Sequence, residues 1–91
     1  MKIIKVLYNK STKFILNIIK DFESEAIIKT INVESRHDFK KAREIQTNFG
    51  TKKLPLVVFE DENLEQVAGI WAESNPNWKE EIKLILDKLN N

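Results

Sequence analysis

Tyr8-Asn9-Lys10-Ser11-Thr12-Lys13-Phe14 sets an amide, two hydroxyls and two lysines between an apolar run and an apolar-periodic one. A polar loop where a strand gives way to a helix is a common seat of chemistry, because the helix N-terminus offers unpaired N–H groups and the positive end of a dipole. Two chemistries are open to this loop. Ser11 or Thr12 can serve as a nucleophile or hydrogen-bond a bound thiolate, and Lys10 and Lys13, joined by Lys52 and Lys53 from later in the chain, can hold an anion. Each reading has a plainer counterpart. Either hydroxyl can simply cap the helix by accepting an orphan N–H, and the lysines can simply be solvated. The nucleophile reading lacks a base, since the one histidine, His37, falls at the start of a later helix.

Composition removes several classes of function. With no cysteine, the chain has no disulfide, no thiolate catalysis and no cysteine zinc site, and one histidine cannot build a His-rich metal centre. The acidic run Glu60-Asp61-Glu62 reads as a solvated turn and not as a metal site. Fifteen basic residues against fourteen acidic ones leave no long-range pull of the kind a general nucleic-acid binder needs. No stretch approaches the roughly 20 apolar residues of a membrane span, and the N-terminus lacks the apolar core of a signal peptide, so the expectation is a cytoplasmic protein. No cofactor is implied. At 91 residues the chain reads as one domain, residues 1–91, with a radius of gyration of about 12 Å. A site in such a domain is a surface groove and not a deep cleft.

The elements that must position the loop follow from periodicity. Lys2 to Tyr8 is β-branched and apolar with no helical period, and reads as a buried strand. Phe14, Ile15, Ile18, Ile19 and Phe22 recur at helical spacing. Ala26 to Val33 is strand-like again. Ser35 followed by Asp38 resembles a capping box opening a helix marked by Phe39, Ala42, Ile45 and Phe49, with Gly50 as its stop. Leu54 to Phe59 is an apolar strand with Pro55 at its mouth. The polar turn Glu60 to Asn63 and the run Leu64 to Ala68, closed by Gly69, make a hairpin. Asn75-Pro76 opens a last helix with apolar Trp78, Ile82, Ile85, Leu86 and Leu89. The order β-α-β-α-β-β-α implies an α/β fold, with a right-handed parallel unit first and a four-stranded mixed sheet flanked by three helices.

That order, with a proline entering the third strand, resembles the thioredoxin superfamily. Ala42 to Gly69, AREIQTNFGTKKLPLVVFEDENLEQVAG, is similar to the thioredoxin stretch that runs through an aromatic-Gly pair, an apolar residue and cis-proline, a strand, a tight turn, a further strand and a closing glycine. The resemblance covers essentially the whole chain. It implies that Pro55 is the cis-proline and that the backbone of Leu54 faces the substrate groove; a trans-proline at a strand edge is the alternative. It also implies that Tyr8 takes the aromatic position of the active-site run, and that Asn9 and Thr12 take the two cysteine positions. Without thiols the family's electron transfer is impossible. The first strand has no acid where thioredoxins carry a buried aspartate, and Ala68-Gly69-Ile70-Trp71 lacks the glutathione signature of glutaredoxins.

The expected function is therefore a redox-inactive module, not an enzyme. It would bind another protein, by an acidic or extended segment, along Tyr8, Asn9, Lys10, Ser11, Thr12, Lys13, Lys53, Leu54, Pro55, Gly69 and Trp71, with no catalytic and no metal-binding residue. The other reading is a small anionic ligand, or a glutathione-type binding protein or transferase, served by Ser11, Thr12 and the lysines. A third leaves the groove idle in a subunit of an assembly. Trp78 reads as core, whereas Trp71 reads either as packing or as an exposed interface anchor.

Overall fold

The computed structural model of the protein describes residues 2–63, 65–71 and 77–90. Four strands, β1 (Ile3–Tyr8), β2 (Ile27–Asn32), β3 (Leu56–Glu60) and β4 (Gln66–Trp71), form one mixed sheet in the order β2-β1-β3-β4. β1 and β2 are parallel, as a β-α-β unit requires, while β3 runs antiparallel to both β1 and β4. The helices are α1 (Ile15–Ile19), α2 (Phe39–Phe49) and α3 (Trp78–Leu89). The radius of gyration is 12.2 Å.

Alternation along the strands divides the buried side chains between two faces. Ile4 and Val6 of β1 and Val57 and Phe59 of β3 point to one face. There they meet Ile15, Ile19 and Phe22 from the α1 region and Trp78, Ile82 and Leu86 of α3. Leu7, Ile31, Leu56 and Val58 point the other way, against Ala42 and Ile45 of α2. β3 is buried along its whole length, as a central strand covered on both faces must be. Trp78 is core, at 5% exposed.

Several local expectations are corrected. The first helix does not run unbroken from Phe14 to Phe22: α1 is one short segment, followed by a 3₁₀ turn over Lys20–Phe22. Its buried face is Ile15, Ile19 and Phe22, which leaves Phe14 49% exposed. Ser35 does not cap α2 with its side chain. Its carbonyl accepts from the Asp38 and Phe39 N–H groups in a turn that precedes the helix, and Asp38 occupies the cap position without a side-chain bond to it. Phe39 lies outside the core beneath the Arg43 guanidinium, 5.0 Å from its ring centroid. Gly50 does stop α2, with a left-handed φ of 64° that a side chain would oppose. β4 does not end at Gly69 but carries it in mid-strand and continues to Trp71. Leu64 and Asn75-Pro76 lie outside the described residues.

Glu60 is no part of a solvated turn either. It ends β3 at 3% exposed, and its carboxylate lies 2.8 Å from the Lys5 ammonium. Lys5 shares the α2 face of β1 with Ile3 and Leu7, so this ion pair continues the core layer beyond Leu7 and Val58. Asp61 makes the turn that follows, its Oδ1 accepting from the Asn63 and Glu65 N–H groups. Glu60 and Asp61 thus do separate jobs, and the described residues contain no cluster fit to hold a metal ion.

Candidate functional site

The strand directions bring Tyr8, Pro55 and Trp71 to one end of the sheet, while Gly69 lies in mid-strand opposite Val58. Tyr8 ends β1 in register with Asn32 at the end of β2. Leu7 pairs with Leu56 at the start of β3, and Leu56 pairs with Trp71 at the end of β4. Extending the β1–β3 register by one residue sets Pro55 opposite Tyr8. The Leu54–Pro55 peptide bond is cis.

The turn after β1 is built differently from a hydroxyl-capped helix. Asn9 caps a 3₁₀ turn over Lys10–Thr12, its Oδ1 accepting from the Thr12 N–H at 2.9 Å. Thr12 Oγ1 accepts from the Asn9 N–H at 2.9 Å and bonds Asn9 Oδ1 at 2.8 Å. This reciprocal capping box uses the two residues that the sequence resemblance would set at the cysteine positions. The expected capping of α1 by Ser11 or Thr12 is not found: the Thr12 hydroxyl instead closes the turn that Asn9 opens. Ser11 is exposed and α1 itself has no side-chain cap. Committed in this way, the Thr12 hydroxyl is not a free nucleophile.

Two distinct surfaces flank this turn. On the β2 side, Tyr8, Lys10, Lys13, Asn32 and Glu34 line a polar hollow of about 370 Å³. Asn32 and Glu34 escaped the sequence reading, although the parallel register of β2 against β1 is the signal that brings Asn32 beside Tyr8. Glu34 Oε1 accepts from the Lys10 N–H at 2.8 Å, so the hollow holds a carboxylate as well as two ammonium groups. Lys52 and Lys53 are exposed and do not line it. On the β3–β4 side, Leu54 and Trp71 are partly buried against the core layer beneath α2. Trp71 is thus both packed and accessible. Pro55 is fully buried, so it shapes this surface, and a ligand would meet the neighbouring Leu54.

Gly69 has a different task from the others. A Cβ placed on it would lie 2.6 Å from Phe49 Cε1 and 2.9 Å from Phe49 Cδ1, so the missing side chain is what lets the ring close over β4. Gly69→Val is expected to lower stability by about 1–3 kcal/mol in urea unfolding, the usual range for overpacking. Adding Phe49→Leu should recover part of that loss. Equal stability of Gly69→Val and wild type would show that the ring has room to move.

No protein-family model matches the chain, and no curated protein matches it. Similarity to solved structures is extensive in fold and low in sequence. A thioredoxin from Thermus thermophilus superposes with a TM-score of 0.64 at 12% identity, over 98% of this chain and 73% of that one. An uncharacterized thioredoxin-like protein from Clostridium perfringens gives 0.67 at 16% identity, over 98% and 71%. The pneumococcal exposed lipoprotein thioredoxin of Streptococcus pneumoniae gives 0.63 at 14% identity, over 97% and 84%. The fold is thioredoxin-like, and the chain that adopts it here has no cysteine.

Proposed function

We propose that this is a thioredoxin-like module without redox activity that binds an extended segment of another protein at the end of the sheet where β1 finishes and β3 begins. The observation that carries the reading is the gathering of Tyr8, Leu54 and Trp71 at that end, around a turn closed by the Asn9–Thr12 capping pair. Trp71 supplies aromatic area, and the backbone of Leu54 supplies hydrogen-bonding groups for strand-like addition. Lys10 and Lys13 would draw an acidic residue of the segment, and Glu34 beside them sets against that attraction. Cytoplasmic residence, no enzymatic activity and a single domain over residues 1–91 are parts of the same reading. No helix among the described residues is long and apolar enough to cross a membrane.

Selection from a displayed peptide library, followed by amide chemical-shift mapping, tests the proposal. Selected peptides should perturb Tyr8 to Lys13, Leu54 and Trp71. Trp71→Ala should weaken them by about 2 kcal/mol, roughly thirtyfold, the scale of an interface hot spot. Leu54→Asp should weaken them comparably. Binding that survives both changes, or maps only to other surfaces, would overturn the assignment.

The second reading, a small anionic or glutathione-type ligand in the polar hollow, is supported by the enclosure that Tyr8, Lys10 and Lys13 provide. Glu34 counts against it, because a carboxylate on the wall repels an anion. Thermal-shift measurement with glutathione decides: stabilisation by several degrees, lost in Lys13→Glu, would favour the ligand.

A further inference from the structure

We propose that the outer face of α3 is a self-association surface on which two copies of the chain pack with their α3 helices antiparallel. The face is read from what α3 does with its charged residues. On the side toward the α1 region, Lys79 pairs with Asp21 at 2.8 Å, and Lys83 pairs with Glu25 at 2.7 Å and Asp87 at 3.4 Å. Hydrogen bonds to Glu25 and then Asp87 hold the Lys83 ammonium above the usual lysine range. Those charges are engaged within the chain.

The side toward β4 is different. Glu81, Leu84, Ile85 and Lys88 recur at i, i+3, i+4 and i+7, which places them in one stripe along the helix. Together with Gly69 and Ile70 of β4 they line a shallow groove of about 330 Å³. Leu84, at 59%, is the most exposed large apolar side chain among the described residues. Glu81 and Lys88 have no ion-pair partner among the described residues, in contrast to Lys79 and Lys83.

The occupant follows from the arrangement of charge. An apolar pair with an acid one turn before it and a base one turn after it is self-complementary when a copy is turned end for end. A two-fold axis passing between Leu84 and Ile85 sets Glu81 of each copy against Lys88 of the other, and sets each Leu84 beside the groove of its partner. The same face offered to a helix in the parallel direction would set like charges together. The stripe therefore selects orientation as well as partner. This surface is separate from the end of the sheet assigned to peptide binding, and neither proposal depends on the other.

The lack of native cysteine makes the test direct. Under mild oxidation Leu84→Cys should crosslink to a dimer, whereas Lys79→Cys, on the paired side of α3, should stay monomeric. Sedimentation equilibrium of the whole chain should show a concentration-dependent dimer. Glu81→Lys and Lys88→Glu should each weaken it by about tenfold, because each sets like charges opposite one another. The double variant carrying both changes should restore it, with circular dichroism confirming the fold of all three. A wild type that remains monomeric up to its solubility limit would overturn the proposal. So would a dimer that responds alike to the single and double charge changes, or a Lys79→Cys crosslink as efficient as that of Leu84→Cys.

Discussion

Glu60→Leu alone is expected to cost about 3–5 kcal/mol of folding stability, and Lys5→Leu a similar amount, while the double variant should lie within about 1 kcal/mol of wild type or above it. The two side chains are 14% and 5% exposed at Lys5 and Glu60, with 2.8 Å between nitrogen and oxygen. Removing one member leaves the other charged in a layer that continues from Leu7, Leu56 and Val58, and that uncompensated burial is what destabilises. Removing both exchanges a desolvated pair for apolar contact. Urea unfolding of the four proteins forms a complete double-mutant cycle. Single losses below about 1 kcal/mol would show that the pair behaves as a surface salt bridge, and that water reaches it more freely than its exposure indicates.

The second large effect concerns activity. The wild type should not reduce insulin disulfides, having no thiol. The double variant Asn9→Cys and Thr12→Cys should form an intramolecular disulfide on oxidation and gain measurable thiol–disulfide exchange. The two side chains now meet at 2.8 Å across a turn that spans four residues, so thiols in their place would start as neighbours. The Thr12 N–H that bonds Asn9 Oδ1 would face a sulfur at position 9, so the thiolate there would be stabilised by an existing donor. Loss of the capping box should cost about 1–2 kcal/mol, so the exchange assay belongs with a melting curve. Two thiols that stay free under oxidation in a folded variant would show that this turn does not hold the geometry of the redox loop.

Much of this fold was legible in the sequence because period is a strong signal over long segments. The apolar run from Lys2 to Tyr8 is explained by a strand buried on both faces, and the stripes of α2 and α3 are each explained by one buried face. Boundaries were less legible where packing overrides period. Phe14 and Phe39 are aromatic at helical spacing yet lie outside the core, since Ile15 with Ile19, and Ala42 with Ile45, already face the sheet. β4 was cut short because Gly69 reads as a terminator, whereas Phe49 from another element is what requires a glycine there. The partnership of Lys5 and Glu60 depends on the register of β1 against β3, which no local pattern contains. At the candidate site, the end of the sheet was legible from topology, and Asn32 and Glu34 were not, because they arrive from β2 and the turn beyond it.

The capping box of Asn9 and Thr12 also decides what signal the turn can carry. In a dithiol loop, oxidation and reduction change the bonds that hold the surface, so a partner can sense the electron supply of the cell through it. Here the turn is closed by an amide and a hydroxyl, neither of which exchanges electrons in that range. A turn closed in this way has no thiol to switch it, so the association proposed for this surface is expected to persist through changes in redox poise that would switch a cysteine-bearing thioredoxin.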